Sequence, residues 1–188
     1  MKTEARRQFI HFLFGSFFIA LIAVIGVAQG FFVIAACFGI GLLVSVLLKR
    51  GIRIPLLLHI VQRVERDYEK HLPGKGALLF FLAAIITIVL FREKAIVLGA
   101  LGVAVYGDAA STVFGLRFGK HKIAMKKTLE GTIGGIAASL FFLSFLFQWS
   151  IALAAAVIGM LAELLPFDDN FTIPITSGIV LTILTAII

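Results

Sequence analysis

The strongest constraint on the fold is the stretch from residue 8 to residue 48, which contains no Asp, Glu, Lys or Arg. One crossing of a bilayer core takes about 20 apolar residues, so this stretch is long enough for two. We predict a pair of helices joined by a turn at Gln29–Gly30. The whole chain is 61% hydrophobic and 14% charged, which is the composition of an integral membrane protein rather than of an average globular domain.

Apolar segments of spanning length continue along the chain. They predict an all-α, polytopic membrane bundle of about seven transmembrane helices, at residues 9–28, 31–48, 76–91, 95–115, 131–149, 151–166 and 172–188. Residues 52–72 are too charged to span, and their mixture of apolar and charged residues predicts an amphipathic helix on the membrane surface. Residues 1–188 are therefore predicted to form a single membrane-embedded domain.

The basic residues predict the orientation of these helices. With the N-terminus in the cytoplasm, fifteen Lys and Arg residues fall on the cytoplasmic side and two, Arg92 and Lys94, on the other. Nine of the ten acidic residues also fall on or near the cytoplasmic side. The net charge of +7 is explained by topology and by contact with anionic lipid headgroups, so no nucleic-acid partner is expected. Any polar chemistry is expected at the cytoplasmic face, in the cell membrane if the source is prokaryotic.

Asp108 is the acidic residue that most invites a functional interpretation. At helical spacing it shares one face with Ser111, Thr112, Gly115 and Gly119. Small residues on such a face also allow two helices to pack closely, and for the glycines this explanation is sufficient. An acid inside a membrane span is costly and usually faces a partner, a cavity or a cation, so we interpret Asp108 as a site residue.

The loop that follows predicts a site for phosphate. Lys126 and Lys127 directly precede Thr128, a good N-cap residue, and Glu130 lies in the first turn of the next helix. Gly131 and the glycines after it are expected to leave that helix N-terminus bare, so that its amides and the neighbouring lysines bind an anion. Glu130 could complement the helix dipole, hold a lysine or hold a metal.

Further candidate residues lie near both ends of the chain. Glu163 precedes a turn that contains Asp169 and Asn170, and paired oxygen ligands suit Mg²⁺ bound to substrate phosphates. A polar helix-capping turn is the simpler explanation of Asp168 to Asn170 on their own. Arg7 and His11 lie at helical spacing near the start, where they could contact a lipid phosphate.

These motifs resemble the CTP-dependent polyprenol, phytol and diacylglycerol kinases, a family that includes dolichol kinase. The central and most specific match consists of "GDAASTVFGLRFGK" and "KKTLEGTIGG". Weaker matches in the same order are "EARRQFIHFLFG", "VERDYEKHLPGKGALLFFL" and "AELLPFDDNFTIPITSG". The resemblance implies a membrane kinase of lipid metabolism and phospholipid biosynthesis. Such an enzyme uses CTP and a divalent cation, Mg²⁺ or another, to phosphorylate a membrane lipid alcohol.

The resemblance also assigns roles to residues of this chain. The positions that match the family's functional residues are Asp108, Lys127, Glu130, Gly131, Glu163, Asp169 and Asn170. We predict catalytic roles for Asp108, Lys127, Glu130 and Glu163, and a metal site made of Asp108, Asp169 and Asn170. The predicted nucleotide-binding residues are Gly107, Ser111, Lys120, Lys126, Lys127, Thr128 and Gly131. Which carboxylate serves as the base stays open between Asp108 and Glu163.

Two alternative functions remain. CTP:phosphatidate cytidylyltransferases carry a similar lysine- and glycine-rich stretch, but "FDDNFTIP" resembles the kinases and the His-Gly-Gly…Asp-Arg signature of the cytidylyltransferases does not occur here. A small transporter would also carry acids within its spans. It would be expected to show an internal repeat, which we do not find, and charges spread through the membrane depth.

Overall fold

The computed structural model describes residues 2–50, 52, 73–124 and 127–187, with side chains from Arg6 onward. The described residues form seven long helical segments, which confirms the all-α class and the predicted helix count. They are α1 (Lys2–Ile25), α2 (Val27–Lys49), α3 (Lys75–Phe91), α4 (Lys94–Phe118), α5 (Leu129–Leu143), α6 (Trp149–Leu161) and α7 (Asp169–Ile187). The amphipathic helix predicted at 52–72 falls almost entirely outside the described residues.

Four of these helices, α1, α2, α4 and α7, are long and apolar enough to cross a membrane, by length and composition. The other three are shorter apolar helices, and α6 extends to Leu164 through a short 3₁₀ turn. A two-stranded hairpin that the sequence did not predict joins α4 to α5. It pairs β1 (Lys122–Ala124) with β2 (Lys127–Thr128) in antiparallel fashion.

The turn between α1 and α2 lies at Gly26, so the predicted position at Gln29–Gly30 is wrong. Gly26 has φ of +91°, a backbone conformation that a residue with a side chain rarely adopts. Gly30 lies inside α2 and faces α1 instead. A Cβ atom at Gly30 would stand 2.8 Å from Cγ1 of Ile22, so this glycine permits close packing of the two helices.

Helix α4 holds the bundle together, because it contributes to both apolar clusters of the core. Val97 and Leu101 pack with residues of α1, α2 and α3, whereas Val103 packs with residues of α5, α6 and α7. Most of α4 is buried, and its Val103–Gly107 segment has π-helical hydrogen bonding immediately before Asp108. Such insertions change the direction of the side chains that follow and are frequent at functional sites.

Polar residues lie inside the bundle while many large apolar residues lie outside it. The buried polar side chains include Gln8, Asp108, Ser111, Thr132 and Glu163. The exposed apolar side chains include Phe32, Phe141, Phe145, Trp149 and Ile187, each of them more than half exposed. Exposed apolar surface on this scale indicates contact with another apolar phase or partner.

Close packing of α4 against α5 depends on glycine, and this dependence can be tested at Gly131. A Cβ atom there would lie 2.7 Å from the backbone oxygen of Ser111, which cannot move away without shifting α4. We expect Gly131→Ala to destabilise the protein by about 1–3 kcal/mol, the usual cost of overpacking. The measurement is the thermal unfolding midpoint in detergent. Gly39→Ala is the matched control, because no atom lies within 4 Å of a Cβ at that helical position, and an unchanged midpoint for Gly131→Ala would contradict the prediction.

Candidate functional site

Three of the four acidic residues predicted for the site come together around one lysine. Lys127 Nζ lies 2.7 Å from Asp169 Oδ2, 3.1 Å from Glu163 Oε2 and 3.9 Å from Asp108 Oδ1. We call Asp108, Glu163 and Asp169 the carboxylate cluster. Its members come from α4, from the 3₁₀ turn after α6 and from the first residue of α7, and Lys127 comes from β2. Residues of four different elements therefore meet at one place.

Glu163 is the most firmly held member of the carboxylate cluster. Its side chain has no exposed surface, and both of its oxygens accept hydrogen bonds. Oε2 accepts from Ser111 at 2.8 Å and from Lys127, whereas Oε1 accepts from the hydroxyl of Thr132 at 2.5 Å. A buried carboxylate is stable only when it is paired and hydrogen-bonded, and Glu163 meets both conditions.

Asp108 is held by a residue that the sequence analysis did not identify. Gln8 of α1 donates through Nε2 to Asp108 Oδ2 at 3.0 Å and to Thr112 Oγ1 at 2.8 Å. Gln8 is only 2% exposed, so its amide is directed into the protein. The available signal was a polar amide within an apolar helical segment, one turn before His11. Gln8 therefore joins α1 to the carboxylate cluster.

Lys127 supplies the positive charge at the centre of the site. Burial by itself would lower the pKa of this lysine, but the carboxylates of Asp108, Asp169 and Glu163 outweigh burial and raise the pKa above its ordinary value. The ammonium group therefore stays protonated throughout the physiological pH range. Any stability that it contributes is present below the ordinary lysine pKa and is lost only in strong alkali.

The cluster has the charge and the donor atoms for a divalent cation. Three carboxyl groups surround a single ammonium group, so acidic groups outnumber basic ones in the cluster. In the described parts of the chain, no group of three or more His, Cys, Asp or Glu side chains is arranged to hold a metal by itself. Mg²⁺ commonly binds through one or two carboxylates together with substrate phosphates, and Asp108 and Asp169 fit that pattern. Glu163 fits it less well, because hydrogen bonds occupy both of its oxygens.

Glu130 lies in the first turn of α5, and its hydrogen bonds attach the segment between α4 and β1 to that turn. Glu130 Oε1 lies 2.7 Å from His121 Nδ1, and the carboxylate also accepts from the backbone amides of Lys120 and His121. The hydrogen bond with His121 is the main reason why the pKa of Glu130 falls to about 2. Its contribution to stability is therefore present above the ordinary carboxyl pKa and is lost only as the pH falls towards 2. His121 was not predicted as a partner.

At the start of α5, the predicted N-cap is confirmed, but the predicted exposure of the glycines is wrong. Thr128 is the N-cap, and its hydroxyl oxygen accepts from the amide of Gly131 at 3.2 Å, as predicted. The glycines do not leave this helix end bare, because Gly131 packs on Ser111 and Gly115 and Gly134 packs on Phe114. These glycines instead allow α5 to pack closely against α4. The sequence analysis had considered this kind of packing for the glycines of α4, but not for those of α5.

The remaining predicted site residues lie in different surroundings. Gly107 is buried against Met160 and Ser139, and Ser111 is committed to Glu163. The side chain of Lys120 is exposed between α4 and β1, and Lys126 lies outside the described residues.

The first turn of α7 separates two neighbouring acids. The side-chain amide of Asn170 donates to Asp168 Oδ1 at 3.0 Å, which is the predicted capping turn, whereas the side chain of Asp169 is directed inward to Lys127.

The two candidate residues of α1 lie near Gln8. The ring of His11 packs edge-on against Phe80, with 5.3 Å between the ring centroids, and Arg7 lies one residue before Gln8.

Comparison with known proteins places the chain in a family. No family model matches it, and no solved structure matches it. The chain is 34% identical over 176 residues to "Uncharacterized protein MJ1137" of Methanocaldococcus jannaschii, and the alignment covers 91% of this chain and 88% of that protein. Identity at this level along nearly the whole of both chains shows common descent, and the chain therefore belongs to the family of MJ1137.

Proposed function

We propose that this protein is an integral membrane lipid kinase, which transfers the γ-phosphoryl group of a nucleotide, CTP, to the hydroxyl of a membrane lipid alcohol. The observation that carries the proposal is the carboxylate cluster around Lys127, because a buried lysine beside carboxylate oxygens provides the groups that phosphoryl transfer with Mg²⁺ requires. The choice of CTP rests on the sequence resemblance to the CTP-dependent lipid-alcohol kinases.

A membrane location is supported by the distribution of polar and apolar side chains. The charged cluster is enclosed by helices, and the outer surface carries exposed phenylalanine, isoleucine and leucine side chains along several helices. This pattern costs free energy in water and is favourable in lipid, where intramembrane acids are found facing the protein interior. In the predicted orientation the cluster lies at the cytoplasmic face, where CTP is available.

The proposed reaction requires positioning and charge neutralisation rather than a covalent intermediate. The acceptor oxygen forms a bond to the γ-phosphorus while the bond from that phosphorus to the β–γ bridging oxygen breaks, giving CDP and a lipid phosphate. Lys127 offsets the negative charge of the phosphates. Asp108 is the deeper of the two accessible carboxylates and is assigned as acceptor of the hydroxyl proton. Asp169, whose side chain is 28% exposed, would hold a divalent cation together with the nucleotide phosphates, and bound Mg²⁺ would neutralise charge on the transferred group.

Isotope position tests the reaction type. Purified protein in detergent or vesicles is supplied with Mg²⁺, mixed lipid alcohols and phosphatidate, and CTP labelled at either the γ- or the α-phosphate. We expect label to enter lipid from the γ position only. Label entering lipid from the α position would contradict the kinase proposal and support a cytidylyltransferase. Absence of transfer from both positions would support the transporter alternative. ATP labelled at the γ-phosphate, tested in parallel, shows whether CTP is the preferred donor.

A further inference from the structure

An apolar groove of about 630 Å³ runs between α1, α4 and α5. This volume lies within the range of about 300–1,000 Å³ that is usual for ligand sites. Apart from Gln8 and Tyr106, its lining consists of alanine, valine and phenylalanine side chains. Several of these phenylalanines, including Phe9, Phe141 and Phe145, are more than half exposed, so the groove opens to the outside of the bundle.

One residue, Gln8, links the groove to the carboxylate cluster. Gln8 lines the groove and also donates a hydrogen bond to Asp108, the carboxylate assigned as proton acceptor. Ala109 and Ala110, the two residues that follow Asp108 on α4, line the groove as well. The polar end of a chain bound in the groove can therefore lie next to Gln8, which is one hydrogen bond away from Asp108.

Aromatic rings pack against one another around Tyr106 in the groove. Tyr106 packs against Phe142 with 4.7 Å between the ring centroids, and Phe12 packs edge-on against Tyr106 at 5.6 Å. Offset and edge-on ring contacts of this kind are favourable and limit side-chain movement. Ala110 and Ala138 are the small lining residues of α4 and α5, and they keep space open between the rings.

We propose that this groove binds the hydrocarbon chain of the acceptor, with the chain's hydroxyl end beside Gln8 and Asp108. The inference rests on the proposed kinase function and narrows its substrate class. This groove, whose polar lining consists of Gln8 and Tyr106, suits an alcohol with one long chain, such as an isoprenoid or a fatty alcohol. A diacylglycerol would have to place a second chain outside the groove. The acceptor therefore enters sideways from the membrane between α1 and α5.

Filling the groove tests the proposal kinetically. We expect Ala138→Trp to raise KM for a long-chain prenyl alcohol at least tenfold, and to raise it less for a short prenyl alcohol. Ala137→Trp is the matched control, because it makes the same substitution one residue earlier, at an exposed position that does not line the groove. If Ala138→Trp folds and behaves like Ala137→Trp with the long-chain alcohol, the groove is not the acceptor site.

A binding measurement separates this inference from the proposed reaction. A long-chain alcohol carrying a diazirine near its far end is photolysed with wild-type protein in vesicles, and the labelled peptides are mapped by mass spectrometry. We expect labelling on α4 and α5 around Tyr106 and Phe142, reduced by Ala138→Trp and weaker with the same hydrocarbon lacking the hydroxyl. Labelling in the groove without phosphoryl transfer would support the binding site and contradict the proposed kinase activity. Phosphoryl transfer with labelling elsewhere, or with equal labelling by the hydrocarbon, would overturn the groove assignment and leave the kinase standing.

Discussion

We expect Asp169→Asn to lower kcat for lipid phosphorylation by about 10²–10³-fold, the usual effect of removing one preorganised electrostatic group from an active site. Asp169 contacts Lys127 at 2.7 Å and is the more exposed carboxylate of the cluster, on the side assigned to the nucleotide phosphates. The amide retains the size and the hydrogen-bonding capacity of the side chain but loses its negative charge. The loss should therefore appear in turnover and in the concentration of Mg²⁺ needed for half-maximal rate.

Asp168→Asn supplies the matched control for that experiment. Asp168 is the preceding residue, carries the same charge and is exposed, but it caps the first turn of α7 through Asn170 instead of contacting Lys127. We expect its turnover to stay within about twofold of wild type, because asparagine is also a good capping residue. Equal losses in the two variants would show that general surface charge, rather than the carboxylate cluster, is responsible.

The second large effect is expected for Lys127→Met, which removes the cation from among three carboxylates. Breaking a buried ion pair from one side typically costs about 3–5 kcal/mol, because the remaining charges stay buried and unpaired. Glu163 is fully buried and loses one of its hydrogen-bond donors. We expect a large drop in the thermal unfolding midpoint in detergent, together with loss of phosphoryl transfer.

Two further variants make the Lys127 experiment decisive. Lys122→Met removes an exposed lysine from β1 of the same hairpin and should leave the unfolding midpoint nearly unchanged. Lys127→Met combined with Glu163→Gln removes one of the stranded negative charges, and it should recover part of the lost stability without recovering activity. A midpoint for Lys127→Met equal to that of Lys122→Met would show that the ion pairs seen around Lys127 contribute little to the folded state.

The helices could be predicted because their signal is local and long. Apolar runs of spanning length place seven helices, and the structure agrees about all of them to within a few residues at most ends. The turn between α1 and α2 was misplaced because two glycines lie four residues apart in an uncharged region. Only the positive φ of Gly26, and the contact of Gly30 with Ile22, show which glycine turns the chain and which one packs.

Part of the site could also be predicted, because the cost of an acid in an apolar segment is a local signal. Acids in an apolar chain are costly, so Asp108, Glu163 and Asp169 were recognisable one at a time. The structure brings these three acids together around Lys127. Glu130 and Asn170, which were predicted with them, contact His121 and Asp168 instead. Gln8 and Thr132 were missed, because a neutral amide or hydroxyl in a helix has no distinctive pattern until its partner is known. Gln8 and Asp108 are a hundred positions apart, and Thr132 and Glu163 thirty-one.

The amino-acid sequence by itself determined the helical class, the seven helical segments and the identity of the acids that could carry chemistry, because hydropathy and the cost of burying charge act locally. The tertiary structure decided what those residues contact. It turned Glu130 towards His121, used Gly131 and Gly134 for helix packing, brought Gln8 to Asp108 and opened an apolar groove beside them. These outcomes depend on which helix faces which, and that is set by packing between segments far apart in the chain.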